Sequence, residues 1–312
     1  MTMKIAHLCQ TPVAGAAWAG SEAFKEAGYD SFCVAGSRYG NGRTMPRDED
    51  WPPDERIIGR IYDADLIFCH QGHPYTLSWY PRDKPTVSIY HSQPTPGHTN
   101  RRAEKDGWPW AAIGQWEERL YPGCKFVPNL IPVKHPWFQV REKPTDRVRI
   151  VYSPSNKAMN GWDDKGYEQT MVALAGLDAE VDIIEGAPLE DCLARKSTAH
   201  INIDECVTGA YHRSSLEGLA LGCVVLNNCD WQCDQLIRQM TGGVRHPFIT
   251  CKIGDLRAIL QCLIAKGPGK LASIGERMRS WIEYAWSPEE LIQRNYKPLM
   301  DAAVKHATLR PK

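Results

Sequence analysis

The chain has 312 residues, of which 43% are hydrophobic and 24% are charged. This length exceeds one ordinary core and suits two domains of roughly 150 residues each. The 37 basic and 37 acidic side chains leave no formal net charge, which argues against a protein that coats nucleic acid by bulk electrostatics. The sequence lacks a long apolar signal region and any run of about 18 apolar residues, so we expect a cytoplasmic protein without a membrane span.

Short apolar runs rich in Val and Ile alternate with amphipathic stretches, a pattern typical of βα units around parallel sheets. In the first half, strands are predicted at 4–10, 31–36, 64–70, 86–92 and 125–129, and helices at 15–27 and 109–120. Gly28 is a typical stop signal for the first helix. The stretch 37–57 is polar and rich in Pro and Gly, so we expect a long surface loop there.

The Pro-rich stretch 128–147 has no clear period and is interpreted as a linker, after which the alternation restarts. Strands are predicted at 148–154, 180–186, 199–204 and 223–227, and helices at 164–176, 188–196, 211–222, 231–241, 254–265, 268–285 and 288–306. The pattern therefore favours two similar α/β halves with a helical tail. In open α/β sheets, ligands bind beyond the carboxyl ends of the strands, so the turns there are the first candidates for chemistry.

The eleven cysteines are mostly inside apolar runs such as HLCQ and LIFCH, where cysteine behaves as a small hydrophobic residue. Cys229 and Cys233 are separated by three residues, which is not the usual zinc spacing. The D-x-D triplets at 48–50 and 63–65 do not follow a strand where Mg²⁺ and a diphosphate would meet. The sequence therefore predicts no metal site.

The turn after the first strand carries small residues, including Gly15, that lead into a helix N-terminus. The N–H groups at such an end attract anions or sugar hydroxyls, although close packing of the helix on the sheet explains small residues equally well. No G-x-G-x-x-G fingerprint is present. The turn therefore predicts an anion or sugar contact without a dinucleotide motif.

Histidines stand at the ends of two predicted strands, at His70 and His73 after one and at His91 after the other. A histidine there points into the crevice of an open α/β fold, but a lone one more often only supports the structure by hydrogen bonds. His91 directly follows a clean apolar run and precedes Ser92 and Gln93, so it is the best candidate. No nucleophile elbow and no H-E-x-x-H motif is present.

The first turn of the second half offers hydroxyls, amides and cations before a predicted helix. The candidate donors are Ser153, Ser155, Asn156, Lys157 and Lys165. Such a turn suits a diphosphate that is bound without a metal, whereas a lysine at a helix start is commonly only a solvated cap.

Several stretches together resemble the GT-B glycosyltransferases, in particular the large family-4-like retaining group. They are MKIAHLCQTPVAG, YHSQP, VPNLIP, YSPSNK with DKG, GAYHRSSLEGLALGCVVL and WSPEELIQRNYKPLM, which span most of the chain. The resemblance implies two Rossmann-like domains that face a central cleft, with a C-terminal helix that crosses back. Residues 1–145 would form the acceptor domain, 146–286 the donor domain, and 287–312 the returning helix.

The most specific of these stretches resembles the family's E-x7-E signature, whose second glutamate contacts the ribose hydroxyls of the nucleotide. This position is Glu217; the alternative is an acid satisfied by a neighbouring backbone amide. The first glutamate, which contacts the transferred sugar in the family, falls on Gly209, and an arginine that often partners the phosphate lysine falls on Asn160. The sugar contact would then pass to backbone amides around Ala210, Tyr211 and His212, or to Asp204 and Glu205.

The resemblance thus implies transfer of a sugar from a nucleotide-sugar, UDP-linked, without a metal or other cofactor. His91 and Glu217 would be catalytic. Donor binding would involve Gly15, Ser153, Ser155, Asn156, Lys157, Lys165, Tyr211, His212, Arg213, Ser214 and Glu217. The rival functions are a sugar-nucleotide epimerase or hydrolase of the same fold and a non-catalytic binding module.

The acceptor is predicted to contact His70, His73, His91, Arg101, Arg102 and Trp108. The stretch 98–110, which also holds Lys105 and Trp110, mixes basic and aromatic side chains that suit stacking on bases and contacts with phosphates. The opening of the chain resembles phage-encoded transferases that glycosylate hydroxymethylated pyrimidines in DNA. A saccharide or small-molecule acceptor is the favoured alternative, because such patches serve carbohydrate equally well.

Overall fold

The computed structural model describes residues 2–39, 43–71, 77–92, 107–115, 117–121, 123–154 and 165–310. Predictions made for His73, Arg101, Arg102, Lys105, Ser155, Asn156 and Lys157 lie outside these ranges. Two compact units divide the chain. The first is built from Met1–Tyr39, Thr44–Pro132 and Pro288–Lys312, and the second contains Val133–Ser287. The predicted domain boundary at residue 145 lies later in the chain than Pro132, within the second unit.

The strands are β1 (Lys4–Cys9), β2 (Asp30–Ala35), β3 (Arg38–Tyr39), β4 (Arg43–Thr44), β5 (Glu49–Asp50), β6 (Leu66–His70), β7 (Thr86–Tyr90), β8 (Trp110–Ile113), β9 (Lys125–Val127), β10 (Arg149–Tyr152), β11 (Glu180–Ile183), β12 (Ile201–Ile203), β13 (Val224–Asn227) and β14 (Ile249–Thr250). The helices are α1 (Ala16–Glu26), α2 (Glu55–Tyr62), α3 (Tyr167–Leu174), α4 (Leu189–Ser197), α5 (Arg213–Ala220), α6 (Trp231–Thr241), α7 (Leu256–Ile264), α8 (Pro268–Ala285), α9 (Pro288–Leu291) and α10 (Lys297–Leu309). Short 3₁₀ turns lie at Val13–Gly15, Glu117–Leu120, Pro136–Phe138 and Ile253–Asp255, and a π turn lies at Ile292–Tyr296.

The first unit is a parallel sheet of seven strands in the order β5-β2-β1-β6-β7-β8-β9. Its central strands are buried along almost their whole length, as expected for a sheet covered on both faces. Helix α1 packs against β1 and β2, and α10 packs against β6 and β7. The hydroxyl of Tyr296, just before α10, donates to the carbonyl of Pro128 at 2.7 Å, so the C-terminal segment is fixed within this unit.

The second unit is a parallel sheet of five strands in the order β11-β10-β12-β13-β14. The chain leaves β10 to one side for β11 and returns on the other side as β12, so the strand order reverses between β10 and β12. Tyr152 and Ile203 pair at the carboxyl ends of these two strands. This reversal is where open α/β sheets bind ligands.

Two predicted elements were wrong. The predicted helix at 109–120 is strand β8 followed by a 3₁₀ turn. Ala111 and Ala112 favour a helix by propensity, but both are fully buried between β7 and β9, and the sheet pairing overrides that weak preference.

The predicted loop at 37–57 also contains β3, β4, β5 and the start of α2. The side chain of Asp54 caps α2 by accepting the N–H of Ile57 at 2.8 Å, and Ile57 and Ile61 face the core. The Asp followed by apolar residues at helical spacing was the signal for this helix.

Candidate functional site

Three segments come together at the reversal point of the second sheet. Ser153 follows β10, Asp204 follows β12, and helix α5 begins at Arg213. One carboxylate oxygen of Asp204 accepts the backbone N–H of His212 at 2.6 Å and the hydroxyl of Ser215 at 2.7 Å. Burial opposes the charge on Asp204, but His212 and these hydrogen bonds outweigh it and hold the pKa of the carboxyl well below its ordinary value. The N-terminus of α5 is therefore fixed by an ionised acid.

Glu217 lies in the second turn of α5 and is 5% exposed. Its Oε2 accepts from the amino group of Lys196 at 2.7 Å, and its Oε1 accepts from Nε of Arg213 at 3.0 Å. The acid is therefore satisfied by two buried cations rather than by a backbone amide. Each oxygen of this carboxylate already has a cationic partner. The predicted contact between Glu217 and a ribose stays a prediction.

Lys196 is 1% exposed, and its amino group also donates to the hydroxyl of Ser214 at 3.0 Å. Burial disfavours the charged amine, but Glu217 more than compensates, so the pKa of Lys196 is raised. Ser214 in turn lies 3.4 Å from the hydroxyl of Ser153. We call Ser153, Lys196, Arg213, Ser214 and Glu217 the cationic cluster, because its two cations face one acid.

Arg213 has an unusual environment for a guanidinium. It is 6% exposed, and its Nη1 and Nη2 atoms are buried without a hydrogen-bond partner among the described residues. Burial lowers the pKa of Arg213, against the opposing effect of Glu217. Buried donors are nearly always paired, and the planar fork of arginine matches the oxygens of a phosphate or carboxylate. The cationic cluster therefore has the chemistry of an anion-binding site, because Nη1 and Nη2 of Arg213 are donors that a bound anion could use.

Lys196 was missed by sequence reasoning, although the sequence holds a signal for it. The buried positions of α4 are Leu189, Cys192, Leu193, Lys196 and Ser197. Their spacing is that of one helix face, so Lys196 stands on the apolar stripe. A lysine there is rarely buried unless it is paired.

The structure leaves no room for a glutamate at position 209. Gly209 has φ +85°, and a Cβ at this position would lie 2.8 Å from a carboxylate oxygen of Asp230. The N–H of Asp230 donates to the carbonyl of Gly209 at 2.9 Å, which holds the two residues together. A glutamate at 209 would therefore meet both backbone strain and a like charge.

The two other acids proposed for the sugar contact, Asp204 and Glu205, accept hydrogen bonds from nearby residues of their own loop. The carboxylate of Glu205 accepts the N–H groups of Val207 and Thr208 and the hydroxyl of Thr208. Asp204 accepts the backbone N–H of His212, so this amide is already used within the protein. The side chain of Tyr211 is fully buried against Phe248 and Trp286. The side chain of Tyr211 is thus part of the core. Half-buried Lys165 lies close enough to contribute to the lowered pKa of Asp204.

In the first unit, three histidines form a row. Nδ1 of His7 lies 3.0 Å from Nε2 of His70, and Nδ1 of His70 lies 2.8 Å from Nε2 of His91. His7 and His70 are buried, whereas His91, just after β7, is half-buried. Burial lowers the pKa of His7 to about 3 and holds the pKa of His70 well below its ordinary value, so both rings are neutral near pH 7. We call these three residues the histidine row.

Both ring nitrogens of His70 face other histidines, and the acceptor contact predicted for it stays a prediction. The contact predicted for Trp108 also stays a prediction. Its ring is 2% exposed and packs against His306, with the guanidinium of Arg310 at 5.0 Å. Trp110 is half-buried against Tyr121 and lines a cavity of ≈ 480 Å³.

Gly15 is the N-cap of α1, in the left-handed region at φ +69°. Its predicted donor contact stays a prediction. Within the described ranges, no group of three or more His, Cys, Asp or Glu side chains is placed to hold a metal. Among the same residues, no helix is both long and apolar enough to cross a bilayer.

No protein-family model and no curated protein matches the sequence. Solved structures do match, and they match almost the whole chain with both parallel sheets. The chain has the GT-B fold. The catalytic domain of starch synthase IV from Arabidopsis thaliana, bound to ADP and acarbose, matches with a TM-score of 0.58 at 8% identity, over 98% of this chain and 100% of that one.

Two other GT-B structures match equally well. HepE of Anabaena, in complex with UDP and glucose, has a TM-score of 0.57 at 13% identity, over 96% of this chain and 100% of that one. A glycosyltransferase of Rickettsia africae has a TM-score of 0.56 at 11% identity, over 96% and 98% of the two chains. These structural matches establish the GT-B fold and nothing finer.

Proposed function

We propose that the protein is a glycosyltransferase that moves a sugar from a nucleotide diphosphate sugar, UDP-linked, to an acceptor hydroxyl. The observation that carries the proposal is the buried guanidinium of Arg213, two of whose nitrogens have no hydrogen-bond partner among the described residues, at the reversal point of a parallel sheet. A diphosphate supplies the oxyanions that these nitrogens lack. The solved HepE and starch synthase IV structures, which share the fold, contain UDP and ADP.

In the proposed reaction, the bond between the sugar's anomeric carbon and the diphosphate oxygen breaks, and its electron pair stays on the diphosphate. The acceptor oxygen forms the new bond to that carbon, and its proton passes to an oxygen of the leaving diphosphate. Arg213 and Lys196 stabilise the charge that develops on the leaving diphosphate, while Ser153 and Ser214 donate hydrogen bonds. A single preorganised hydrogen-bond donor at a developing charge contributes about 3 kcal/mol. We propose that these donors make the transfer independent of a metal.

For the acceptor, we propose a saccharide or another small molecule that bears a hydroxyl. The DNA hypothesis depended on a patch in which Trp108 and Trp110 would stack on bases. Trp108 is buried in the core of the first unit and Trp110 is half-buried against Tyr121, so we give a saccharide preference over DNA. The neutral net charge of the chain adds no general attraction to DNA.

The donor site is tested by calorimetry with UDP and a panel of UDP-sugars. We expect Arg213→Met to weaken binding roughly tenfold to a hundredfold, because a charge-assisted hydrogen bond contributes about 1.5–3 kcal/mol. Arg238→Met is the matched control, since Arg238 is a partly exposed arginine of the same unit whose Nε pairs with Asp234. Equal affinity in both variants, with thermal melting showing that both are folded, would contradict the donor site.

The reaction is tested by incubating a labelled UDP-sugar with simple glycosides and with DNA that contains hydroxymethylpyrimidines, with and without a chelator. Label on glycosides in the presence of chelator is the expected result. Label only on DNA would restore the DNA hypothesis. Turnover without any acceptor would indicate an epimerase or hydrolase, and binding without turnover would indicate a binding module.

A further inference from the structure

The cavity that Trp110 lines lies at the amino ends of strands β8 and β9. Trp110 is the first residue of β8 and Lys125 is the first residue of β9, and Gly123 and Cys124 directly precede β9. His91, in contrast, directly follows the carboxyl end of β7, the strand beside β8. Open α/β sheets bind their substrates beyond the carboxyl ends of the strands. This cavity therefore lies at the opposite edge of the sheet from the turns where substrate is expected.

One face of helix α10 forms a wall of the cavity. The residues of α10 that line it are Leu299, Ala302, Lys305, His306 and Leu309, which recur at helical spacing and form one stripe. The stripe runs about 15 Å along the helix axis. The other wall is formed by the turns that precede β8 and β9, through Gly107, Pro109, Gly123 and Cys124. The volume of ≈ 480 Å³ is in the range of small-molecule sites, about 300–1,000 Å³.

Two large apolar side chains at the cavity are partly exposed. Leu309 is 72% exposed, and Trp110 is half-buried. The ring of His306, which also lines the cavity, is closely packed. It lies 4.6 Å from the ring of Trp108, and a Cβ at Gly107 would lie 2.8 Å from its Cε1 atom. The cavity is therefore preformed on this side, and an apolar ligand would remove exposed surface of Leu309 and Trp110 from water.

The charged groups at the cavity are lysines. Lys125 and Lys305 both line it, and both are exposed. Neither amino group pairs with an acid in the ranges that the structure describes, and no Asp or Glu is among the described residues that line the cavity. A lysine on an edge strand commonly serves only to keep that edge soluble, which would account for Lys125 alone. It does not account for Lys305, which lines the same cavity from α10.

We propose that this cavity binds a small amphipathic anion. The apolar body of the ligand packs against Trp110 and Leu309, and its carboxylate or phosphate group pairs with Lys125 and Lys305. The ligand is a free molecule rather than a membrane surface, because the apolar side chains line a cavity between two walls and not a flat face. The site uses no residue of the cationic cluster or of the histidine row, so it does not depend on the proposed function.

Binding is tested by calorimetry with decanoate and decyl phosphate, each added as a monomer to the full-length chain. We expect saturable binding whose affinity falls as salt rises, because the two exposed lysines are then screened. Decyltrimethylammonium and decanol carry the same alkyl chain with a positive charge or none, and both should bind more weakly. The indole ¹⁵N–¹H signal of Trp110, assigned with Trp110→Phe, should shift when decanoate is added.

The contact with the anionic group is tested by the double variant Lys125→Met, Lys305→Met. We expect the affinity for decanoate to fall by about threefold to twentyfold, because two exposed ion pairs are lost, while the affinity for decanol stays the same. The pair Lys266→Met, Lys270→Met is the matched control, since both of these lysines are exposed residues of the second unit. Thermal melting shows whether all the variants are folded.

The cavity itself is tested by Ala302→Trp, which places a large ring on the lining stripe of α10. We expect this variant to lose the binding of decanoate and of decanol alike, because the ring fills the space that the alkyl chain would occupy. Val304→Trp is the control, since Val304 is a partly exposed residue of α10 that does not line the cavity.

Several outcomes would overturn the proposal. If neither anion binds, if decyltrimethylammonium binds as tightly as decanoate, or if the Trp110 signal does not move, the cavity is not an anion site. Equal losses of affinity in the two lysine pairs, or in Ala302→Trp and Val304→Trp, would place the binding elsewhere. Binding to phosphatidylglycerol vesicles without binding to monomeric decanoate would indicate a membrane surface instead.

Discussion

The side chain of Glu217 is the counter-ion of both cations in the cationic cluster. One of its oxygens pairs with Lys196 and the other pairs with Arg213. All three side chains are less than one-tenth exposed. Nε of Arg213 is occupied by this contact, so the guanidinium is oriented with its two remaining nitrogens directed elsewhere. The acid therefore determines both where Arg213 lies and which of its donors remain for a ligand.

We expect Glu217→Gln to lower the free energy of unfolding by about 3–5 kcal/mol, because it leaves two buried cations without their counter-charge. Urea titration of the unliganded chain measures this change. Glu276→Gln, an exposed glutamate on α8 of the same unit, is the control and should change it by less than about 0.5 kcal/mol. Equal stability of the two variants would show that the buried pairs contribute little.

The same variant distinguishes the counter-ion role from the ribose role that the family resemblance implies. If Glu217 mainly orients Arg213, Glu217→Gln should alter the binding of inorganic pyrophosphate, which has no ribose, by at least threefold and leave uridine unchanged. Calorimetry with these two probes measures both effects. The opposite pattern, with weaker uridine and unchanged pyrophosphate, would establish the ribose contact instead.

The sequence predicted several residues of the cationic cluster but not the contacts between them. Ser153, Arg213, Ser214 and Glu217 were predicted from turns and from the family signature, and the structure brings them together. Lys196 was not predicted, since it lies far from any recognisable motif and reaches Glu217 only through the packing of α4 beside α5. The burial of Trp108 was not predicted, because residue type alone does not reveal that His306, nearly two hundred positions later, covers its ring.

Helices α5 and α8 approach each other unusually closely where two glycines meet. A Cβ at Gly275 of α8 would lie 1.9 Å from the carbonyl oxygen of Gly222, which follows α5. The guanidinium of Arg279, one turn further along α8, donates to the carbonyls of Val133, Phe138 and Ala220. The position of α5, and therefore of Arg213, depends on this contact between helices.

We expect Gly275→Ala to destabilise the chain by about 1–3 kcal/mol or more, because the added methyl group meets a backbone carbonyl that cannot move aside cheaply. Gly269→Ala is the control on the same helix, since a Cβ at Gly269 meets nothing within 4 Å. Thermal melting of the two variants measures the difference. A Gly275→Ala melting point at or above that of Gly269→Ala would contradict the close approach.

The elements themselves were predicted unevenly, for physical reasons. Most of the parallel strands were predicted because buried runs of Val and Ile are a strong signal, and most helices followed from their period. Strand β8 was predicted as a helix because alanines carry little information about pairing partners. Helix α2 was hidden in a polar stretch, where only its cap and two isoleucines mark it.

For the whole molecule, we expect the free energy of unfolding to decrease at acidic pH, because two histidines are buried in the neutral form. His7 and His70 are buried and neutral in the folded chain, and burial lowers the pKa of His7 to about 3. In the unfolded chain both histidines bind a proton near pH 6.5. Between these two values the unfolded state carries more protons than the native state, so stability rises with pH and is lost as the pH falls below about 6.5.

His70→Gln measures the contribution of His70 to this pH dependence, because glutamine can make the same two hydrogen bonds but does not titrate. The free energy of unfolding of the wild type should fall more steeply between pH 5.5 and 4.5 than that of the variant. The expected difference in slope is about 1.4 kcal/mol per pH unit, the value for one proton bound only by the unfolded state. Urea titrations of both proteins across this range measure it. Parallel pH dependences would mean that His70 is already protonated in the folded chain, and the neutral histidine row would be excluded with it.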